Sequence, residues 1–194
     1  MLHISSFRER MMHRLTKLEV LQFGAEILLP SREDLREEWW RSFLLLPTSK
    51  EEKRTAENAG WIATHWKREA LAWLISRADE IAEVAMRTES STMRRLSLTL
   101  LFHLMPLVLE NQQELTERQL RLLNFCLDVI SPMQSAEWSV GLSMKIAAVM
   151  VRTIPELREE VRTLLEMIDE NLCTSGIRGA RHNALKMLAQ KRKR

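Results

Sequence analysis

The sequence of 194 residues has no tyrosine and only five glycines and five prolines. Tyrosine favours strands, and glycine and proline form the tight turns of hairpins, so their scarcity leaves little room for β-structure. No stretch alternates apolar and polar residues for long, whereas apolar residues recur at helical spacing throughout. The sequence therefore predicts an all-α fold.

Cysteine is also scarce. Cys126 and Cys173 are the only two, they have no CxxC spacing, and each lies among apolar neighbours in a helical pattern. Because of these apolar surroundings and the lack of a paired spacing, we expect two buried free thiols rather than a disulfide, and free thiols are typical of a reducing compartment. This interpretation favours a cytoplasmic location.

A membrane-spanning run is lacking as well. The longest apolar stretch, residues 96–109, is too short to cross a bilayer and contains His103 and Pro106. We interpret His103 as a hydrogen-bonded core residue rather than a ligand. The first residues contain no apolar signal region and become charged by Arg8. We expect a soluble protein that does not bind a membrane.

Negative charge is absent from the C-terminal end. Residues 177–194 hold seven Lys or Arg and no Asp or Glu, and the whole chain carries +3, so residues 1–176 carry −4. A mildly acidic body disfavours a general nucleic-acid surface. The end is predicted to be a closing helix with a polar outer face, followed by a frayed basic tail at residues 191–194.

The apolar period predicts about eight or nine helices with short, antiparallel connections. Thr48 with Glu51 and Thr116 with Gln119 have the spacing of capping boxes at helix starts. We expect one domain over residues 1–194, whose first 50 residues fit the pattern least well. The predicted helices are 6–28, 32–46, 49–66, 68–87 (broken near 76–79), 91–110, 117–130, 134–153, 155–171 and 176–191.

Two predicted helices near the C-terminus carry most of the apolar residues there. The helix that begins at Pro155 has one apolar stripe, which continues to Leu172. Helix 134–153 is apolar in nearly every direction, so it must be covered on several sides. We predict that the two pack together and bury Val161, Leu164, Ile168, Ile146 and Val149.

A weak repeat runs through the sequence. Four helical segments, which begin at residues 59, 93, 137 and 180, each pass from a small or polar start into a largely apolar helix. Their spacings of 34, 44 and 43 residues lie near the period of HEAT and armadillo units. The period favours an α-α superhelix, a HEAT- or armadillo-like solenoid. An irregular helical bundle is the alternative.

Residues 155–188 resemble the closing section of HEAT-like repeat proteins of unassigned function from the Bacteroides group. Residues 56–66 and 93–104 resemble two further helices of that family, and together the match covers about residues 55–190. The resemblance implies an α-α superhelix and no established activity. It rests most directly on Pro155, Glu156, Leu157, Ser175, Gly176, Ile177, Arg178 and Arg181.

No linear motif for catalysis, a cofactor or a metal is present. The five histidines include no HExxH, and no Glu lies three residues before a His, so a metal site or a four-helix cofactor bundle lacks its ligands. The sequence also lacks a phosphate-binding loop and the GxSxG motif. We therefore expect no cofactor and no enzymatic activity.

Two adjacent tryptophans are the first candidate partner-binding residues. Trp39 and Trp40 lie in one predicted helix, and side chains of neighbouring helical residues point about 100° apart. One of the two is therefore a candidate exposed anchor for a partner. The alternative is that both are wedged between neighbouring helices.

Four arginines complete the candidate set: Arg94, Arg95, Arg178 and Arg181. A solenoid usually serves recognition, so we expect a non-enzymatic scaffold or adaptor for a protein or peptide partner. A continuous basic groove that contained these arginines would favour the alternative, a nucleic-acid-binding protein related to the HEAT-like DNA glycosylases that excise alkylated bases. No feature of the sequence specifies an oligomeric state.

Overall fold

The computed structural model describes residues 3–66, 68–110, 112, 114–131 and 137–190. These residues form eleven α-helices, two 3₁₀ segments (Val151–Thr153 and Glu170–Leu172) and no strand, which confirms the predicted all-α fold. The helices are α1 (Ile4–Met11), α2 (Lys17–Ile27), α3 (Glu33–Leu44), α4 (Lys50–Thr64), α5 (Arg68–Ile75), α6 (Ala78–Arg87), α7 (Ser91–Val108), α8 (Glu117–Ile130), α9 (Glu137–Met150), α10 (Pro155–Glu166) and α11 (Ser175–Ala189).

The predicted helix 6–28 is two helices, α1 and α2. Thr16 ends the break with a capping box: its Oγ1 accepts from the Glu19 N–H at 3.3 Å, and the Thr16 N–H donates to the Glu19 carboxylate at 2.7 Å. At the other side of the break, the Asn58 amide of α4 donates to the Met11 carbonyl at 2.8 Å. A side chain distant in sequence thus provides the hydrogen bond that a main-chain carbonyl at the end of α1 lacks within the helix.

Other helix boundaries follow the local signals closely. α8 begins with the predicted capping box, in which Thr116 and Gln119 exchange bonds of 3.3 and 2.9 Å. The start of α4 is displaced by one residue, because Ser49 rather than Thr48 accepts from the Glu52 N–H. The predicted break near 76–79 is also confirmed, since α5 ends and α6 begins there.

Residues 1–100 form one compact unit. Within it, α4 packs against α1, α2 and α3, and α3 also contacts α1, α2 and α6. The buried face of α4 is built from small residues that include Ala56, Ala59 and Gly60. A Cβ on Gly60 would lie 3.2 Å from the Leu96 Cβ of α7, so the absence of a side chain is what permits this close approach.

Residues 101–194 form a second compact unit. In this unit α9 packs against α8, α10 and α11. The side chains of Val140, Met144 and residues 146–151 are all buried, which confirms that this helix is covered on several sides. The prediction of a single domain over 1–194 stays a prediction, and the predicted basic tail, residues 191–194, lies outside the described residues.

The predicted stripe on α10 is wrong in part. Val161 is buried, but Leu164 is only half-buried and Leu165 is the fully buried leucine. α10 ends at Glu166, and the following 3₁₀ segment breaks the helical period. The stripe therefore does not continue to Leu172, whose side chain is 78% exposed.

Helix α7 contains the longest apolar stretch of the sequence. Its residues Leu98, Leu101 and Leu104 are fully buried. His103, which we interpreted as a core residue, is instead exposed, because it shares the outer face of α7 with Pro106. None of the described helices is both long enough and apolar enough to cross a bilayer.

Candidate functional site

A cavity of about 550 Å³ opens beside α2 in the first unit, and we call it the α2 pocket. Helix α2 supplies an apolar wall, and α3 and the C-cap of α4 supply the polar groups. The connection between α4 and α5 supplies the Trp66 ring, and α5 supplies the Trp73 ring. The described residues that line it are Val20, Leu21, Gly24, Ala25, Leu28, Arg36, His65, Trp66, Ala70 and Trp73.

Helix α2 presents apolar residues to solvent as well as to the core. Its inner face buries Val20, Phe23 and Ile27. On the outer face, Leu18 is 65% and Leu21 is 46% exposed. These two leucines continue through Ala25 and Leu28 at helical spacing, and we call the four residues the outer α2 stripe. Because large contiguous apolar patches mark interaction surfaces, the outer α2 stripe is a candidate for one.

Trp66 forms the inner aromatic wall of the α2 pocket. Its side chain is nine-tenths buried, and its ring lies against α2 at Gly24. A Cβ on Gly24 would stand 3.1 Å from the Trp66 Nε1, so a side chain there would displace the ring by a few tenths of an ångström. Within the described chain the indole N–H has no hydrogen-bond acceptor. The pocket wall therefore contains an unsatisfied donor.

The predicted pair, Trp39 and Trp40, supports this wall from behind. Both are buried, with 0% and 7% exposure, so the expectation of one exposed anchor is wrong and the alternative holds. Trp39 donates to the Ala59 carbonyl at 3.0 Å, and its ring centroid lies 4.6 Å from that of Trp66. Trp40 meets Trp73 edge-to-face at 5.7 Å. Each of the two tryptophan side chains is thus covered by another aromatic ring of the same unit.

Arg36 supplies the positive charge of the pocket. Its Nε donates to the Ile27 carbonyl at 3.2 Å and its Nη2 to the Leu29 carbonyl at 3.0 Å, so it caps the end of α2. The guanidinium carbon lies 5.9 Å from the Trp73 ring centroid. Nη1 makes no bond to a described residue. The guanidinium is therefore held in place while one of its donor groups stays available.

His65 adds a second polar group to the lining. Its Nδ1 lies 3.0 Å from the Trp61 carbonyl, and because a carbonyl only accepts, Nδ1 carries the hydrogen. In the neutral ring, Nε2 is then an acceptor. The side chain is exposed, so a ligand in the pocket can reach it.

The carboxylates of α2 are neutralised by partners outside the pocket. Glu19 accepts from Arg10 at 2.5 and 2.8 Å, and these bonds, helped by the main-chain N–H of the N-cap residue, lower the Glu19 pKa to about 2. Glu26 pairs with Arg32 at 3.3 Å. Among the described residues that line the pocket, Arg36 is a cation and there is no Asp or Glu, so this described part of the lining is positively charged.

The helical units and their short connections agree with one comparison. The sequence matches the HEAT repeat domain family over residues 7–188, which is nearly the whole chain. The chain belongs to the HEAT repeat domain family. The HEAT-like assignment is therefore confirmed, whereas a Bacteroides-group origin stays a prediction. No curated protein and no solved structure matches the chain.

Two of the arginines predicted to bind a partner cap helices of this HEAT-repeat chain. Arg94 donates to the Ala85 carbonyl at 3.2 Å and to the Thr88 carbonyl at 2.5 Å, at the end of α6. Arg181 donates to the Leu165 carbonyl at 2.6 Å, at the end of α10, and also pairs with the Glu170 carboxylate. Both repeat the arrangement of Arg36 at the end of α2.

The other two predicted arginines, Arg95 and Arg178, are exposed. Arg94 and Arg95 belong to the first unit, and Arg178 and Arg181 to the second. A partner-binding role for these four residues stays a prediction. The structure gives Arg94 and Arg181 a structural role that the sequence did not reveal.

The two cysteines of this HEAT-repeat protein are buried free thiols, as predicted. Burial raises the Cys126 pKa to about 12. This thiol is therefore protonated and unreactive at neutral pH. In the part of the chain that the structure describes, no three His, Cys, Asp or Glu side chains form a group that could hold a metal ion.

Most of the α2 pocket was missed by sequence reasoning. One usable signal was present: α2 carries two rows of apolar residues in only 11 positions, more than one neighbour can cover. A second signal is a spacing. Arg36 lies nine residues after its acceptor Ile27, and Arg94 lies nine residues after Ala85. The approach of Trp66 to Gly24 left no signal, because it depends on how α4 packs on α2.

Proposed function

We propose that this HEAT-repeat chain is a non-enzymatic scaffold or adaptor that binds a protein or peptide partner through the α2 pocket and the outer α2 stripe. The observation that carries the proposal is the exposure of Leu18 and Leu21, at 65% and 46%, next to a cavity walled by tryptophan. Covering such apolar surface gains about 25 cal/mol per Å². A held guanidinium beside it supplies orientation for a bound chain.

The polar groups of the pocket suit binding. Arg36 is fixed by two main-chain carbonyls, and His65 by one, so both can orient a ligand without first being ordered. We propose no catalytic step. The proposed cytoplasmic location rests on the two free thiols, since a reducing compartment keeps cysteines in that form.

A nucleic-acid partner has less support than a protein or peptide partner. A phosphate backbone is bound by many Lys and Arg side chains at once. Of the four arginines that the alternative uses, Arg94 and Arg181 already donate to main-chain carbonyls. We therefore do not propose a relation in function to the DNA alkylation-repair glycosylases.

Selection of short random peptides displayed on phage, with the full chain as bait, tests the proposal. We expect selected peptides to bind the purified chain with micromolar affinity and to lose binding to Leu21→Glu, which places a charge in the outer α2 stripe. Leu120→Glu is the matched control, because Leu120 of α8 is similarly exposed, at 40%. Failure to select any peptide, or equal loss with both variants, would refute the proposed function.

A further inference from the structure

We infer that the partner segment is acidic as well as apolar: it places apolar side chains in the α2 pocket and a carboxylate on the Nη1 group of Arg36. The inference rests on the proposed function and specifies the chemistry of the partner. Its basis is the conjunction, in one cavity, of apolar walls, a held cation with an unused donor group, and the lack of any described carboxylate in the lining.

The dimensions fit a peptide segment. From Leu18 to Leu28 the outer α2 stripe spans ten residues of helix, about 15 Å at 1.5 Å per residue. About five extended residues, or three helical turns, cover that distance. The cavity of about 550 Å³ lies within the range of pockets that enclose a drug-sized ligand, so it has room for apolar side chains of a bound segment. Apolar anchors that enter it would contact Trp66 and Trp73.

The charge of Arg36 favours a carboxylate over a second apolar group. Arg36 lines the pocket and already uses Nε and Nη2 on α2, so the guanidinium is held in place and Nη1 is the group left for a ligand. Because the Arg36 side chain is already held by two bonds, binding a carboxylate there costs little additional entropy of that side chain. Since Glu19 and Glu26 are paired with other arginines, no acid of α2 competes for this donor.

Two other occupants fit the site less well. The basic C-terminal residues 191–194 carry four positive charges and would meet Arg36 with like charge. A second copy of the chain would present another apolar α2 stripe, which would cover the leucines but leave Nη1 of Arg36 without an acceptor. The acidic peptide satisfies both the apolar and the charged parts of the site. The unsatisfied Trp66 N–H is a further donor at the same wall.

Four substitutions in the full chain test the inference in matched pairs. Ala25→Trp fills the pocket from an exposed position, and Gln22→Trp places the same ring on an exposed α2 position that does not line it. Arg36→Met removes the charge together with two capping bonds. Arg94→Met removes two equivalent capping bonds on α6 and leaves the pocket intact.

The probe is the same library of short random peptides, with affinities then measured by fluorescence anisotropy. We expect selected peptides to combine Leu or aromatic residues with Asp or Glu. Ala25→Trp and Arg36→Met should each weaken binding by about tenfold or more, as expected for a lost charge-assisted bond or a blocked pocket. Gln22→Trp and Arg94→Met should bind like the original chain, and Glu→Gln or Asp→Asn changes in the peptide should weaken binding only when Arg36 is present.

Each other outcome has a distinct meaning. Peptides that lose affinity for Ala25→Trp but bind Arg36→Met as well as the original chain, or that lack acids, overturn the inference while the proposed function stands. Peptides that bind Ala25→Trp as well as the original chain do not use the α2 pocket and overturn both. No binding peptide at all refutes both. A dimer of the chain alone in sedimentation equilibrium, if Ala25→Trp dissociates it, makes a second copy the occupant and also overturns the inference. Circular dichroism of each variant separates these results from loss of folding.

Discussion

Gly141 provides a direct test of how α9 and α11 pack. A Cβ at this buried position would stand 3.1 Å from the Ala180 Cβ of α11. That atom is fixed to its backbone, so Gly141→Ala forces the two helices apart by a few tenths of an ångström. The better helix propensity of alanine contributes about 1 kcal/mol, and overpacking costs about 1–3 kcal/mol. We expect the unfolding free energy to fall by about 0–2 kcal/mol.

Two further variants isolate the packing contribution. Gly179→Ala changes a glycine of α11 whose added Cβ would have no neighbour within 4 Å, so the unfolding free energy should rise by about 0.5–1 kcal/mol. Adding Ala180→Gly to Gly141→Ala removes the close contact between the two methyl groups. The double variant should therefore be more stable than the sum of the two single effects on the unfolding free energy predicts. The coupling free energy between the two substitutions should be about 1–3 kcal/mol. It reports the strain of the close contact alone, because the helix propensities of the single substitutions cancel in the cycle.

Urea unfolding followed by circular dichroism measures the unfolding free energy of the original chain and of each variant, including Ala180→Gly alone, which the coupling calculation needs. Gly141, Gly179 and Ala180 all lie in the second unit. The comparison is thus made within one compact unit. A coupling free energy near zero would refute the reasoning. So would a Gly141→Ala protein that gains as much stability as Gly179→Ala, because the helices would then have room for the extra methyl group.

Three further predictions concern the core, acid stability and thiol reactivity. Leu165→Ala should lower the unfolding free energy by about 2–5 kcal/mol and Leu164→Ala by about half as much, because only Leu165 is fully buried. Equal effects of the two variants in urea unfolding would contradict the buried face that we assign to α10. The Glu19 pKa is 4.5 in the unfolded chain and about 2 in the folded chain, so its contribution to stability is present above pH 4.5 and disappears toward pH 2. Glu19→Gln should therefore remove this part of the pH dependence of the unfolding free energy. If the acid unfolding profile of the variant is unchanged, Glu19 makes no such contribution. Cys126 should resist alkylation at pH 8 until the protein unfolds, because its thiol is buried and protonated. Mass spectrometry of the labelled peptide measures this, and rapid labelling of the native chain would contradict the burial of Cys126.

Local sequence signals were sufficient for the fold class and for several helix boundaries. The helical period and the scarcity of turn residues predicted an all-α chain, and the Thr116–Gln119 pair predicted the start of α8. Both depend on interactions within a few residues, which a linear pattern contains. The break between α1 and α2 was missed although Thr16 and Glu19 have capping-box spacing, because the apolar period continues across it.

The outcome for the adjacent tryptophans could not be decided from sequence. Their 100° separation on one helix is a local fact, but whether both directions are covered depends on α4 and α5. In the structure Trp39 contacts Trp66 and Trp40 contacts Trp73, so both are buried. Similarly, the sequence showed that Arg94 and Arg181 were cations, whereas their acceptors are carbonyls that become available only where a preceding helix ends beside them.

By itself the sequence determined that this chain is helical, that it has a HEAT-like period, and that α9 must be covered on several sides. Only the tertiary structure decided where apolar surface stays open to water. The α2 pocket requires α2, α3, α5 and the residues that follow α4 to meet at one place, where the Trp66 ring packs closely on Gly24, which has no side chain. Periodicity specifies how much apolar surface a helix has, whereas the arrangement of its neighbours specifies how much of that surface they cover.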